Sequence, residues 1–156
     1  MPEQKSLNRA KIRKAVAGDL PKVKACAHEA YLKYLERMGR KPPPMVADFD
    51  KLICEGLVYI VYSNLDLYGY AVFYPKGSAL HLENVAVYPK YQGCGLGRKL
   101  VAFVEERAKD CGCTAVELYT NAKMHENIAW YEKLGYEITA RRTESGLERV
   151  YFMKKI

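Results

Sequence analysis

The chain has 156 residues, 49% of them hydrophobic and 28% charged, and carries a net charge of +7. Its length suits one domain, since ~100–200 residues is the usual span, and its apolar content excludes disordered and fibrous classes. No apolar run approaches the ~18–20 residues of a membrane span, and Met1-Pro2-Glu3-Gln4-Lys5 lacks the apolar centre of a secretory signal, so a cytoplasmic protein is expected.

Residues 1–10 are polar and read as a flexible N-terminus, followed by a single domain over residues 11–156. Residues 12–16 form a short predicted strand, closed by Gly18-Asp19. Asp19 can cap a helix whose first turn tolerates Pro21. From there Leu20, Val23, Ala27, Ala30, Tyr31, Tyr34 and Met38 recur at three- and four-residue steps, the apolar stripe of an amphipathic helix. Gly39 ends it, and Pro42-Pro43-Pro44 forbids its continuation. A second helix is predicted over residues 46–54, stopped at Gly56. The period then changes. Residues 57–62 and 68–74 are rich in β-branched and aromatic side chains and predict a hairpin turning at residues 63–66. Lys76-Gly77-Ser78 leads into a strand over residues 80–88. A helix from residue 96 carries Leu100, Val101, Val104 and Ala108 on one face and ends at Gly112. Residues 115–119 read as a buried strand and 126–134 as a helix stopped by Gly135. Strands over 136–141 and 149–153 flank a turn at 143–146.

The order βααβββαβαββ predicts an α/β domain. Its central sheet is mixed and mostly antiparallel, with about seven strands and about four helices on both faces. The hairpins require antiparallel neighbours, and the strand–helix–strand run over residues 80–119 supplies one parallel crossover.

Five cysteines, Cys26, Cys54, Cys94, Cys111 and Cys113, fit reduced thiols better than a disulfide framework. Cys111-Gly112-Cys113 has no second pair to complete the ~four ligands of a structural zinc site. His125-Glu126 lacks the second histidine of a zinc motif, since position 129 is Ala129. No metal is expected. The excess of 25 Lys+Arg over 18 Asp+Glu favours a polyanion such as a phosphorylated cofactor. The basic residues are spread along the chain and form no recognisable nucleic-acid module, so neither nucleic acid nor a membrane is the expected partner.

The stretch from His81 to Leu100, HLENVAVYPKYQGCGLGRKL, carries the chemistry. A strand, a glycine-rich loop and a helix start together offer an anion a concave set of backbone N–H groups and a helix N-terminus. Gly93, Gly95 and Gly97 remove the side chains that would hold a phosphate away, and Arg98 and Lys99 add positive charge. Spacing excludes the common nucleotide motifs. A dinucleotide fingerprint from Gly93 and Gly95 needs a third glycine where Arg98 stands, and no Gly-Lys-Ser/Thr of a P-loop is present.

Gln92, Gly93, Cys94, Gly95, Leu96 and Gly97 match the Gln/Arg-x-x-Gly-x-Gly/Ala signature of the GNAT N-acetyltransferase superfamily, which the chain resembles. Val85-Ala86-Val87-Tyr88-Pro89 and the later Asn127-Ile128-Ala129-Trp130-Tyr131-Glu132-Lys133-Leu134-Gly135-Tyr136 look like that family's flanking segments. The element order is also the family's, so the resemblance covers nearly the whole chain. It implies direct transfer of the acetyl group of acetyl-CoA to a primary amine. By the same resemblance Gln92–Gly97 and Arg98 hold the pyrophosphate, Val85, Ala86 and Val87 pair with the pantetheine arm, and Asn127 contacts that arm.

Direct transfer demands a neutral amine, a stabilised oxyanion and a proton for the departing thiolate. The resemblance makes Glu83 the candidate general base, acting through a water, with a substrate-binding role as its alternative. Strand alternation places His81, Glu83, Val85 and Val87 on one face unless a bulge intervenes. Tyr131 matches the family's catalytic tyrosine, and a phenol of pKa ~10 suits protonation of a thiolate. A backbone N–H near Val85–Val87 would stabilise the oxyanion. Tyr31, Tyr34, Arg37, Arg40 and Met45 would form an aromatic and cationic wall for the acceptor, since arginine forks suit carboxylate or phosphate. The expected acceptor is a small amine bearing an anionic group. The alternatives are a protein N-terminus or lysine as acceptor and, in another class, a non-catalytic acyl-CoA-binding sensor. A homodimer is an option that no residue decides.

Overall fold

The computed structural model describes residues 6–156. The looseness expected of residues 1–5 lies outside the described residues; Ser6, Leu7 and Asn8 are helical and Ala10 is buried. The element order matches the predicted one. Strand β1 (Lys11–Lys14) precedes helix α1 (Leu20–Met38) and helix α2 (Phe49–Cys54). Then come β2 (Val58–Ser63), β3 (Asp66–Lys76), β4 (Ala79–Val87), α3 (Leu96–Asp110), β5 (Ala115–Asn121), α4 (His125–Lys133), β6 (Glu137–Glu144) and β7 (Leu147–Lys155). The strands form one seven-stranded sheet in the order β1-β2-β3-β4-β5-β7-β6. The β1·β2, β2·β3, β5·β7 and β6·β7 pairs are antiparallel, and β4·β5 is the parallel crossover.

Two compact units share the chain. One comprises Met1–Val72 with Asn84–Ala102, the other Phe73–Glu83 with Phe103–Ile156, so β3, β4 and α3 each run from one into the other. In the first unit α1 buries Val23, Cys26, Ala27, Ala30, Tyr31, Tyr34 and Met38, the stripe read from the sequence with Cys26 added and Leu20 only half-buried. Gly39 takes the left-handed conformation, φ 72°, that a helix end favours in glycine. The polyproline segment forms a short 3-10 turn, Pro43–Met45, instead of starting α2, because three prolines lack the donors of a regular helix. Helix α2 therefore begins at Phe49, three residues later than predicted, where Asp48 accepts the Lys51 N–H as a cap. Strand β1 is anchored by Arg13, whose guanidinium forks onto both Asp19 carboxylate oxygens at 2.8 and 3.1 Å. Those bonds hold the Asp19 carboxyl below its ordinary pKa, with desolvation opposing.

In the second unit the β6–β7 hairpin is longer than predicted. Its turn contracts to Ser145 and Gly146, both at positive φ, as two-residue hairpin turns require. The added pairs Thr143↔Glu148 and Glu144↔Leu147 are supported by Glu144, which accepts from Arg149 at 2.6 Å and from the Tyr151 hydroxyl at 2.5 Å. Strand β5 alternates. Val116, Leu118 and Thr120 are buried, while Glu117, Tyr119 and Asn121 are half-buried on the other face. This alternation sends one face of β5 to the core and leaves Glu117, Tyr119 and Asn121 on the other.

Candidate functional site

The glycine-rich loop lies in the first unit, where β4 ends and α3 begins. A 3-10 turn at Pro89–Tyr91 leads out of the strand, and the Gln92 side-chain amide donates back to the Val87 carbonyl at 2.9 Å. Gly93 and Gly95 follow at φ 80° and 84°, a region costly for any residue with a Cβ. A Cβ built on either would meet no atom within 4 Å, so both open onto free space. Leu96 is buried and anchors the first turn of α3, while Cys94 and Arg98 are exposed. Lys99 differs from its expected place beside an anion, because its ammonium donates to the Ala10 carbonyl. Backbone donors, left-handed glycines and the positive end of a fifteen-residue helix converge here.

The preceding strand segment is held by a buried polar chain that sequence reading did not find. The Tyr70 hydroxyl donates to Asn84 Oδ1, Asn84 Nδ2 donates to the Tyr31 hydroxyl at 2.6 Å, and Tyr31 donates to the Val85 carbonyl at 3.2 Å. Tyr70 is fully buried and Asn84 is 9% exposed, so each group depends on the others for its partner. Burial pushes both phenols up and keeps them neutral donors. Tyr31 is thus committed to the backbone of β4, and Tyr34 is buried beside it, rather than both presenting an open wall. Arg37 lies over the Tyr34 ring, Arg40 is exposed and Met45 is half-buried. On β3, Gly69 faces the same segment. A Cβ there would stand 2.4 Å from the Ala86 carbonyl oxygen and 3.1 Å from Val87 Cα.

The second unit holds the titratable groups. The Glu83 carboxylate accepts from the Tyr74 hydroxyl at 3.0 Å and meets His81 Nε2 at 2.9 Å. The bond from His81, ahead of that from Tyr74, lowers the Glu83 pKa, with desolvation opposing. Tyr74 is pushed up to about 12 by desolvation and by the Glu83 charge. His81 is 4% exposed, and the parallel register pairs it with Glu117, whose Oε1 lies 3.7 Å from Nδ1. That distance is beyond a hydrogen bond, and Nδ1 has no partner. Tyr131 is buried against Phe152 and Tyr136, with ring centroids 5.7 and 5.9 Å away. Asn127 is half-buried and its amide donates to Met124 Sδ at 3.6 Å.

A cavity of about 500 Å³ is lined by residues of β3 to β7. Lys76, His81, Glu117, Tyr119, Arg142 and Arg149 are among its lining residues. Arg149 is paired with Glu144 and lies 4.6 Å over the Tyr119 ring, and Arg142 lies 5.1 Å over Tyr151. Lining residues from five strands cannot be gathered by local sequence spacing. Among the described residues no group of three His, Cys, Asp or Glu side chains could hold a metal ion, and no helix is long and apolar enough to cross a membrane.

Residues 25–136 match the family model described as Acetyltransferase (GNAT) family. A glucosamine 6-phosphate N-acetyltransferase of Trypanosoma brucei brucei is 37% identical over 62 residues, 40% of each chain. The L-amino acid N-acyltransferase MnaT of Escherichia coli (strain K12) is 32% identical over 64 residues, 41% of this chain and 37% of that one. The chain therefore spans about 40% of the length of these curated relatives. The PaiA N-acetyltransferase of Thermoplasma acidophilum, solved in complex with coenzyme A, aligns with a TM-score of 0.77 at 19% identity. That alignment covers 94% of this chain and 99% of the other, a likeness of fold.

Proposed function

The chain belongs to the GNAT acetyltransferase family, and from that premise we propose that it transfers the acetyl group of acetyl-CoA to the primary amine of a small molecule bearing an anionic group. One observation carries the donor half of this reading: Gly93 and Gly95 stand at positive φ over open space at the start of α3. Such a turn leaves backbone N–H groups and a helix N-terminus to a phosphorylated ligand. In the first unit, Gln92 to Arg98 are the residues to hold the pyrophosphate, and Val85, Ala86 and Val87 those to align the pantetheine arm. In the second unit Asn127 has the same task. When bound, acetyl-CoA supplies an activated thioester carbonyl.

This chain's own groups then manage protons and position. The hydrogen-bonded Glu83 and His81 form the proton-accepting pole, and Tyr131 is the acid for the departing thiolate. The acceptor half is favoured by the cationic groups of the cavity, Lys76 and Arg142. The relatives named for glucosamine 6-phosphate and for L-amino acids point the same way, since both are amines bearing an anion. The test is release of free CoA thiol from acetyl-CoA on adding amines. Amine-dependent release with an N-acetyl product supports the proposal. Tight acetyl-CoA binding without transfer to any small or peptide amine would instead mark a sensor.

A further inference from the structure

The least expected atom of the second unit is His81 Nδ1. It belongs to a side chain 4% exposed, lines a cavity, and has no hydrogen-bond partner. Its state follows from its neighbours. The ionised Glu83 carboxylate only accepts, as it does from the Tyr74 hydroxyl, so the Nε2 that meets it carries hydrogen. With hydrogen on Nε2, the neutral form of the ring has its lone pair at Nδ1. Glu117 Oε1, a second acceptor, lies 3.7 Å from Nδ1. Two acceptors side by side, with no donor between them, suit a group that carries several N–H bonds. A primary ammonium is such a group.

The charges of the cavity complete the description. Arg149 and Glu144 neutralise each other at 2.6 Å. Glu117 is left against Lys76 and Arg142, a carboxylate and two cations lining one cavity of about 500 Å³. That pattern complements a zwitterion. We propose that this cavity receives the acceptor amine, its ammonium against Glu117 and its carboxylate toward Arg142 and Lys76, and that His81 takes the amine's proton at Nδ1 while Glu83 holds the ring. The proposal rests on the acetyl-transfer reading above and gives that reaction its acceptor class and its base. Glu83 becomes a positioning residue, which suits a carboxylate whose bonds to His81 and Tyr74 make it a poorer proton acceptor.

The protons and electrons balance. One ammonium proton passes to Nδ1, and the electron pair of that N–H bond stays on nitrogen. This pair forms the N–C bond to the acetyl carbon as the C–S bond breaks with its pair on sulfur. A second nitrogen proton ends on the thiolate, and the imidazolium, flanked by Glu83 and Glu117, returns its proton to solvent.

The test uses the full chain with acetyl-CoA and two amine series: aminocarboxylates from 3-aminopropanoate to 6-aminohexanoate, and diamines of equal length. The aminocarboxylates should lead in kcat/KM by at least about tenfold, and Arg142→Ala should bring the ratio toward unity. His81→Gln should lower kcat by roughly 10²–10⁴ with acetyl-CoA affinity unchanged, and free imidazole should restore His81→Ala by at least about tenfold but not Glu83→Gln. Glu117→Gln should raise the amine KM about tenfold, by more than it lowers kcat. If the His81 variants fail to fold, the Glu117→Gln split and the Arg142→Ala ratio still decide. Undiminished turnover in His81→Gln overturns the base, and an unchanged amine KM in Glu117→Gln overturns the docking point. Equal rates on both series, or acetyl-CoA binding with transfer to neither, overturns the acceptor class. Failure of the wild-type chain to bind acetyl-CoA would instead strike the premise.

Discussion

Gly69→Ala is a test in which the sign of the effect is diagnostic. Gly69 lies in β3 at a φ open to any L-residue, since it is absent from the positive-φ positions. Without steric conflict, alanine would stabilise the fold by about 0.4–1 kcal/mol by restricting the unfolded chain. The added methyl would instead stand 2.4 Å from the Ala86 carbonyl oxygen. A comfortable C···O approach is about 3.3–3.6 Å, so β4 must retreat from β3 by roughly 1 Å. Overpacking of this kind costs about 1–3 kcal/mol. At ~2–4 °C per kcal/mol for a chain of this size, the midpoint should fall by roughly 2–12 °C. The strain falls on Ala86 and Val87, the strand proposed to align the pantetheine arm, so acetyl-CoA affinity should fall as well, by at least about tenfold. Thermal unfolding with and without acetyl-CoA reads both effects. Gly18→Ala, where a Cβ meets nothing within 4 Å, is the control. A Gly69→Ala chain as stable as wild type or more so, with unchanged affinity, would refute the close approach and its role.

The buried chain on β4 predicts that Asn84→Leu costs about 2–4 kcal/mol in denaturant unfolding, because the Tyr70 hydroxyl loses its acceptor while fully buried. Adding Tyr70→Phe should recover part of that loss, and additive costs would show that the chain is not coupled. Asp19 has a folded pKa below its unfolded value, so its contribution is present above the unfolded pKa and lost as pH falls through the folded one. Asp19→Asn should therefore destabilise by about 1–2 kcal/mol at neutral pH, and the gap to wild type should close as pH falls below the ordinary carboxylate range. Tyr131→Phe should lower kcat by about 10² or more at unchanged acetyl-CoA affinity, and retained turnover would remove it as the acid.

The element order was legible because glycine and proline punctuate a change of period. The α1 stripe switches to β-branched runs after Gly56, and Gly39, Gly112 and Gly135 each close a helix at positive φ. The loop at Gly93 and Gly95 was legible for the same local reason: its glycines and the start of α3 stand in consecutive residues. What escaped was set by distance along the chain. Asn84 and Tyr31 are 53 residues apart, Lys99 and Ala10 are 89 apart, and the cavity draws on five strands. His81 had a visible neighbour in Glu83, but its orphaned Nδ1 depends on the β4·β5 register that brings Glu117 alongside. Gly69 carried a local hint, since a glycine inside a strand pattern suggests a close backbone approach. The approaching atoms come from a strand that pairing alone could not place so near.

The most direct test of the central claim is calorimetric titration of acetyl-CoA into the wild-type chain and into Gly95→Ala, whose φ of 84° a Cβ would strain. The account predicts one site per chain with a dissociation constant on the order of micromolar, weakened at least about tenfold in the variant. No binding to the wild type, or equal binding to both chains, would contradict it.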